Sequence, residues 1–121
     1  FLSENPELAA ICAKRGIKFI GPESSIIHKM GDKIQARKAM IEAGVPVTPG
    51  SDGNINSVEE AQSLANQIGY PVMLKATNGG GGRGIRRCDN DKELVSNYDR
   101  VISEATKAFG NPELVMEKCI V

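Results

Sequence analysis

The chain has 121 residues, 40% of them hydrophobic and 25% charged, and its formal net charge is zero. These values are typical of a soluble globular chain that is long enough for one domain with its own core, or for one small domain and the edge of another. A neutral chain with three Phe, two Tyr and no Trp argues against a nucleic-acid binder that depends on an overall basic field or on stacked bases. No apolar run is long enough to cross a membrane.

The three cysteines are far apart, and none of them lies in a CxxC pair. Cys12, Cys88 and Cys119 therefore predict reduced thiols, with neither a disulfide framework nor a structural zinc site. The expected compartment is the cytoplasm, or the mitochondrion in a eukaryotic cell. The chain starts on Phe1 and stops inside a predicted strand, so we expect it to be a fragment of a larger protein.

The first part of the chain has the pattern of a helix, a strand and a second helix. Apolar residues three and four positions apart predict a helix over residues 7–15 that stops at Gly16. Residues 17–20 predict a short strand, and Ser24 or Ser25 is expected to cap the next helix. A strand that directly follows a helix is typical of the end of an α/β unit.

Asp32 is expected to cap a further helix, which runs to about Ala43 and ends before Gly44. Lys33 would lie in the first turn of this helix, where a cation is unfavourable for the helix dipole. Two interpretations stay open for Lys33. It is either a solvated surface lysine, or a lysine directed toward an anion together with the free N–H groups of the helix.

Residues 45–56 are rich in Pro, Gly, Asn and Ser, and within them residues 46–50 predict a linker. We place a domain boundary within it, which divides the chain into residues 1–47 and 48–121. The second part predicts a small α+β module, a sheet backed by two helices. Its helices are expected to begin at the capping boxes Ser57–Glu60 and Asn90–Glu93, and its strands to cover 72–76, 85–88 and 114–121.

The helix after Asn90 carries the clearest amphipathic stripe in the chain. The predicted members of this stripe are Leu94, Val95, Tyr98, Val101, Ile102, Ala105 and Phe109. In the final strand, alternation places one set of side chains on each face of the sheet. Leu114, Met116, Lys118 and Ile120 share one face, and Glu117 and Cys119 share the other.

A glycine loop, residues 78–84, lies between the first two predicted strands, and five of its seven residues are glycines. The backbone N–H groups of so bare a loop can approach a ligand closely. No acidic residue occurs between Glu60 and Asp89, and this interval contains four cations, Lys75, Arg83, Arg86 and Arg87. The loop therefore predicts an anion cradle for phosphates. The alternative is a mobile surface hairpin.

Three phosphate-binding templates can be compared with this loop. The Walker A pattern requires Lys and Ser or Thr where this chain has Ile85 and Arg86. Both Walker A and the dinucleotide pattern require a helix after the loop, and a strand is predicted there. A kinase hairpin would be followed by a lysine strand and by HRD and DFG motifs, which are missing. What remains is a hairpin whose lysines precede it, Lys75 in its own strand and Lys33 in the preceding domain.

Several short motifs occur here in the order in which the biotin carboxylases of the ATP-grasp superfamily carry them. They are FLSEN at 1–5, FIGP at 19–22, MGDK at 30–33, GVP at 44–46, PG at 49–50, GYPV at 69–72, LKA at 74–76, the loop at 79–84 and MEK at 116–118. The chain resembles this family over essentially its whole length. The family includes the first domain of pyruvate, propionyl-CoA and acetyl-CoA carboxylases, the last of them enzymes of fatty acid biosynthesis. Nearby ATP-grasp ligases share the fold but not FLSEN or MGDK.

The resemblance implies a fold and a position in that fold. Residues 1–47 would form the end of the Rossmann-like domain that precedes the ATP-grasp fold, with a connecting helix. Residues 48–121 would form its small α+β lid domain, with the rest of the ATP-grasp fold following.

The resemblance also implies roles for individual residues. Lys33 would reach the ATP phosphates, and Lys75 would lie near the α-phosphate. Gly81 and Gly82 would belong to a flap that closes over the phosphates. The final strand would line the adenine pocket, largely through backbone groups, with the residues Glu117, Lys118, Cys119 and Ile120. Cys119 stands where an aromatic residue is expected, which would loosen the wall of this pocket.

The activity implied for the whole enzyme is the carboxylation of biotin. The enzyme would use MgATP and bicarbonate, act on biotin bound to a carrier protein, and form a homo-oligomer. The metal ligands and the catalytic residues would follow this chain, so we expect the fragment alone to be inactive. Two other hypotheses remain open: a nucleotide-binding lid module without catalysis, and an ATP-grasp ligase with a different acceptor.

Overall fold

The computed structural model describes residues 2–77, 82–110 and 112–121, and of Phe109 it describes the backbone. A 3₁₀ turn covers Leu2–Glu4. The helices are α1 Pro6–Lys14, α2 Ser24–Gly31, α3 Lys33–Glu42, α4 Val58–Ile68 and α5 Asp91–Phe109, and the strands are β1 Val72–Ala76, β2 Ile85–Cys88 and β3 Leu114–Lys118. In the ranges just given, no helix is both long enough and apolar enough to cross a bilayer.

The first predicted strand does not form. Residues 17–20 are without regular structure, and Ile17 is 58% and Ile20 98% exposed. A strand needs a partner for its N–H and C=O groups, and the sheet of this structure consists of β1, β2 and β3. The pattern of apolar residues was therefore not enough to predict a strand. A segment becomes a strand only when its backbone pairs with a neighbouring strand, and residue composition does not show whether it does.

Two of the predicted caps in the first part of the chain have different outcomes. Asp32 caps α3 as expected, since its carboxylate accepts bonds from the N–H groups of Ile34 (2.9 Å) and Gln35 (3.0 Å). The prediction for α2 was wrong, because Glu23 occupies the N-cap position without a side-chain bond. Ser24 instead donates its hydroxyl to the carbonyl of Pro6 at 2.9 Å, which ties α2 to α1.

The sheet is antiparallel, with strand order β2-β1-β3. The first strand is central: Val72 lies opposite both Cys88 of β2 and Lys118 of β3. Helices α4 and α5 pack against this sheet. The shared core contains Ala61, Ala65, Val72, Leu74, Ala76, Cys88, Leu94, Tyr98, Val101, Ala105, Leu114 and Met116. This arrangement confirms the predicted α+β module.

Both predicted capping boxes begin their helices. The hydroxyl of Ser57 accepts from the N–H of Glu60 at 3.1 Å, and the side chain of Asn90 accepts from the N–H of Glu93 at 3.0 Å. In the stripe of α5, Leu94 is fully buried, whereas Val95 is 43% exposed. The assignment of Val95 to the buried stripe was therefore wrong, and the side chain of Phe109 lies outside the described part of the structure.

The last strand is shorter than predicted, because it ends at Lys118. Ile120, which was expected to share a face with the buried Leu114 and Met116, is 72% exposed. On one side of β3 lies β1, and on the other lie residues 51–55, which directly follow the predicted linker. Ser51 donates its N–H to the carbonyl of Met116 (2.8 Å), and Ile55 donates its N–H to the carbonyl of Leu114 (2.8 Å), so this stretch forms an irregular edge of the sheet.

The close approach of this edge to β3 depends on Gly50, which lies opposite Glu117. A Cβ atom on Gly50 would lie 2.5 Å from the carbonyl oxygen of Met116, whereas one on Gly53 would meet nothing within 4 Å. A contact of 2.5 Å with backbone cannot be relieved by a rotamer change, so either this edge or β3 would have to move.

We therefore predict that Gly50→Ala in the full-length protein lowers the local unfolding free energy of residues 114–118 by about 1–3 kcal/mol. Native-state hydrogen exchange of the corresponding peptides measures this quantity. Gly53→Ala is the matched control and should stay within about 1 kcal/mol of the original protein. Equal exchange rates in both variants would show that the edge does not constrain β3.

Candidate functional site

The candidate site lies where β1 and β3 run side by side near the beginning of α3. Lys75, in β1, lies opposite Val115 of β3. Its ammonium forms an ion pair with the carboxylate of Glu117, two residues further along β3. This is the diagonal neighbour in an antiparallel pair, within reach of long side chains. The structure thus brings together Lys75 and Glu117, two of the residues that the sequence predicted for the site.

Lys33 comes to the same place from a different element. It is the first residue of α3, and its ammonium donates to the carbonyl of Thr77 at 2.7 Å. Burial lowers the pKa of Lys33 below its ordinary value of 10.5, and the positive charge of Lys75 lowers this pKa further. The charge of Glu117 acts in the opposite direction. The two lysines and this carboxylate therefore form one electrostatic cluster.

The two ends of the glycine loop are fixed by backbone bonds. Ala76 donates its N–H to the carbonyl of Gly84 at 2.8 Å, and Thr77 donates its N–H to the carbonyl of Glu113 at 3.0 Å. Strand β2 follows at Ile85, so the loop joins two paired strands as predicted and does not lead into a helix. Gly82 is exposed with a φ of +80°. Gly81, its predicted partner in the flap, lies outside the described residues.

The expected group of four uncompensated cations around the loop requires correction. Arg86 pairs with Glu104 at 2.5 Å, and Arg87 pairs with Asp89 at 2.7 Å. Together with the pair of Lys75 and Glu117, three of the four cations have carboxylate partners. The charge count within residues 61–88 missed these partners, because Glu104 and Glu117 come from α5 and β3. Lys33, which lay outside that interval, supplies a cation to the site.

A groove of about 410 Å³ runs beside the cluster, between α3 and the beginning of the linker. Lys33, Arg37 and Glu117 supply its charged lining, and its apolar lining includes Met30 and Met40. Arg37 donates to the carbonyl of Thr48 at 2.5 Å, so it connects α3 to the linker. The sequence pattern did not single out Arg37 or Thr77, since neither an arginine within a helix nor a backbone carbonyl that accepts a hydrogen bond carries a local signal.

The end of β3 was predicted to form a wall of the site, and its backbone is held on both sides. The N–H of Lys118 donates to the carbonyl of Pro49 at 2.7 Å, and the N–H of Cys119 donates to the carbonyl of Pro71 at 2.9 Å. Cys119 is half-buried and Ile120 is exposed. Both residues therefore present surface at the end of β3.

The arrangement can hold a polyanion through two ammonium groups from different elements. Each ammonium has an oxygen partner that an anion could replace, Thr77 for Lys33 and Glu117 for Lys75. Among the described residues, no three His, Cys, Asp or Glu side chains are close enough to hold a metal ion together.

Two family profiles match the chain and together cover almost all of it. The Biotin carboxylase, N-terminal domain family matches residues 1–27. The Carbamoyl-phosphate synthase L chain, ATP binding domain family matches residues 32–121. A curated relative, the 2-oxoglutarate carboxylase small subunit of Hydrogenobacter thermophilus, is 54% identical over 99% of this chain and 25% of its own length.

Solved structures show the same similarity in three dimensions. The biotin carboxylase domain dimer of the H. thermophilus 2-oxoglutarate carboxylase, in complex with MgADP, ADP and bicarbonate, matches with a TM-score of 0.91 and 54% identity over 99% of this chain and 26% of that one. The biotin carboxylase β-γ-ATP complex from Campylobacter jejuni matches with a TM-score of 0.92 and 52% identity. That match covers 100% of this chain and 27% of the other.

The chain spans about a quarter of the length of these relatives. The profiles meet between residues 27 and 32, close to the start of α3, so the cluster of lysines lies within the ATP-binding match. By these matches the chain belongs to the biotin carboxylase family of the ATP-grasp superfamily.

Proposed function

We propose that this chain is the nucleotide-binding part of an ATP-dependent biotin carboxylase. The observation that carries the proposal is the meeting of Lys33 and Lys75 beside Glu117, at the base of a glycine loop. The relatives support it, because one was solved with MgADP and bicarbonate and another as a complex with β-γ-ATP. The whole enzyme would use MgATP and bicarbonate to form carboxyphosphate, and then carboxylate biotin on a carrier protein.

The two lysines would act by binding and orienting the phosphates. In the structure their ammonium groups are held by the carbonyl of Thr77 and the carboxylate of Glu117. Triphosphate oxygens would replace these partners, because a triphosphate carries more negative charge than one carboxylate or a neutral carbonyl and attracts both ammonium groups at once. The glycine loop, with Gly81 and Gly82, would then close over the phosphates. Mg²⁺ would neutralise phosphate charge when bound, and its ligands would come from other parts of the enzyme.

The end of β3 would form the adenine side of the site. A strand edge offers a donor and an acceptor at the spacing that the edge of adenine needs. Because the N–H groups of Lys118 and Cys119 are already bonded to prolines, adenine would use other backbone groups of residues 117–120. The carboxylate of Glu117 would act on the lysines, while its backbone belongs to the wall.

The experiment that tests this proposal is ATP cleavage by the full-length protein with different acceptors. We expect cleavage to require bicarbonate and to be stimulated by free biotin, with no comparable stimulation by ammonia or amino acids. ATP cleavage that is stimulated by ammonia or amino acids and not by biotin would favour the second candidate, an ATP-grasp ligase with a different acceptor. That candidate is supported by the matching ATP-binding family, which is named for carbamoyl-phosphate synthase. Nucleotide binding without any cleavage would favour a lid module that only senses nucleotide.

The proposal includes the partners and the compartment of the enzyme. We propose a carrier protein or domain that delivers biotin, and a homo-oligomeric enzyme, since the relative from H. thermophilus was solved as a domain dimer. The cytoplasm remains the predicted compartment. The acyl-CoA or keto acid that finally receives the carboxyl group, such as acetyl-CoA, pyruvate or propionyl-CoA, would be selected by a separate transferase.

The lowered pKa of Lys33 predicts a pH dependence of nucleotide binding. Phosphates bind the charged form of the lysine, so the affinity for ATP is highest while Lys33 is protonated. This affinity falls as the pH rises through the pKa of Lys33. Because burial places that pKa below 10.5, the loss should begin at lower pH than for an ordinary lysine. The measurement is the Kd for ATP between neutral pH and pH 10.5. Lys33→Arg should abolish the part of the affinity loss that Lys33 causes, because arginine stays charged over this pH range. An equal loss of ATP affinity in Lys33→Arg would exclude the titration of Lys33 as the cause.

A further inference from the structure

The turn between α4 and β1, residues 69–71, is hydrogen-bonded to two other elements, β3 and α5. The ammonium of Lys118 donates to the carbonyls of Gly69 and Tyr70, both at 2.8 Å. The hydroxyl of Tyr70 donates to the carboxylate of Asp91, the first residue of α5, at 2.5 Å. Burial raises the pKa of Tyr70, and the bond to Asp91 raises it further, so the hydroxyl remains a donor at physiological pH. These bonds therefore fix the position of the 69–71 turn relative to β3 and α5.

The end of β3 needs such a support because a regular ladder cannot continue there. Its two neighbours are Pro49 on one side and Pro71 on the other, and each accepts a single bond. Proline has no N–H and cannot return a bond to the strand, whereas residues in a hydrogen-bonded antiparallel pair exchange two. The two bonds from the ammonium of Lys118 thus replace ladder bonds that prolines cannot make.

The backbone conformation of Gly69 is a second observation that supports the contact between the turn and the Lys118 ammonium. Gly69 has φ 84° and ψ 139°, in a region that is readily accessible to glycine and strained for other residues. A Cβ atom there would lie 3.7 Å from the nitrogen of the Lys118 side chain. Glycine at this position therefore combines the required backbone angles with a carbonyl that the ammonium can reach.

We propose that Lys118 is a positioning residue whose ammonium holds the end of β3 against the 69–71 turn, and so fixes the adenine wall formed by Cys119 and Ile120. This inference rests on the proposed function. It assigns the side chain of Lys118 a role separate from that of its backbone. The role is geometric: the two bonds fix the peptide groups that directly follow Lys118, and these are the groups next to which adenine would lie.

The test compares Lys118→Met with Lys118→Arg in the full-length protein. Methionine keeps most of the apolar stem and removes the donors, and arginine keeps the charge and the donors. Losing charge-assisted bonds should raise the KM for ATP about tenfold in Lys118→Met, with kcat changed by less than about twofold. The preference for ATP over GTP, measured as the ratio of their kcat/KM values, should fall by a similar factor. Lys118→Arg should restore most of both values, and the exposed Lys92→Met is the control.

Two results would overturn the inference. One is an unchanged KM for ATP in Lys118→Met. The other is an equal rise in the KM values for ATP and bicarbonate with unchanged base preference, which would indicate general damage. If Lys118→Met does not fold, Lys118→Gln keeps one donor group and is judged by the same two measurements. Failure of the proposed function gives a different result, since the unmodified protein would then show no ATP cleavage dependent on bicarbonate and biotin.

Discussion

Replacing Lys33 or Lys75 with methionine is expected to raise the KM for ATP about 10- to 100-fold and to leave the KM for bicarbonate within about twofold. Both ammonium groups lie at the base of the glycine loop, one bonded to Thr77 and the other paired with Glu117. Each variant keeps the length of the stem and removes one charge from the phosphate site. Steady-state kinetics of the full-length protein, with each substrate varied in turn, measures the two KM values.

The exposed Lys92 in α5 supplies the control for these variants, because Lys92→Met removes an equal charge away from the cluster. Its KM for ATP should match that of the unmodified protein. An equal increase in the KM values for ATP and bicarbonate in the Lys33 or Lys75 variant would contradict a cluster devoted to the nucleotide. A double variant adds a second check, since two charges that bind one polyanion are close enough for their effects to be non-additive.

The second large effect is expected in the core that supports the sheet. Leu94→Ala should lower the local unfolding free energy of α5 by about 2–5 kcal/mol, because it leaves a cavity at a fully buried position. Val95→Ala, at the neighbouring and 43% exposed position, should change it by less than about 0.5 kcal/mol. Native-state hydrogen exchange of peptides within residues 91–108 measures both values. Similar losses in the two variants would mean that Val95 is buried in the full-length protein.

The features that were predicted correctly depend on residues close together in the chain. The caps Asp32, Ser57 and Asn90 each bond to N–H groups within three residues. Strands β1 and β2 are joined by one loop, so their alternation and the glycines between them were enough to predict a hairpin. These signals are local, and tertiary packing has little opportunity to override them.

The features that were missed depend on contacts between distant residues. Residues 17–20 had the composition of a strand but have no strand partner among the described residues. Pro49 and Gly50 belong to the predicted linker, yet Pro49 accepts a bond from Lys118 and Gly50 lies opposite Glu117 of β3. In both cases the structure depends on whether the segment pairs with another strand, and the sequence of one segment does not show which strand it pairs with.

The charge pairs of the candidate site also depend on residues that are distant in the sequence, so the sequence alone did not predict them. The count of cations around the loop could not include Glu104 and Glu117, which approach only after folding. Conversely, Lys33 is separated from Thr77 by 44 positions and still donates to its carbonyl. The motifs predicted Lys33 and Lys75 as residues of the candidate site, whereas the groups that bond to their ammonium groups were visible only in the folded chain.

Hydrogen exchange of the full-length protein with and without saturating MgATP is the most direct test of a single nucleotide site built from α3, β1 and β3. We predict slower exchange in three separate segments, residues 32–37, 72–77 and 114–121, and unchanged exchange in α4. Saturating MgATP that leaves the exchange of all three segments unchanged, or protects only one of them, would contradict a single nucleotide site.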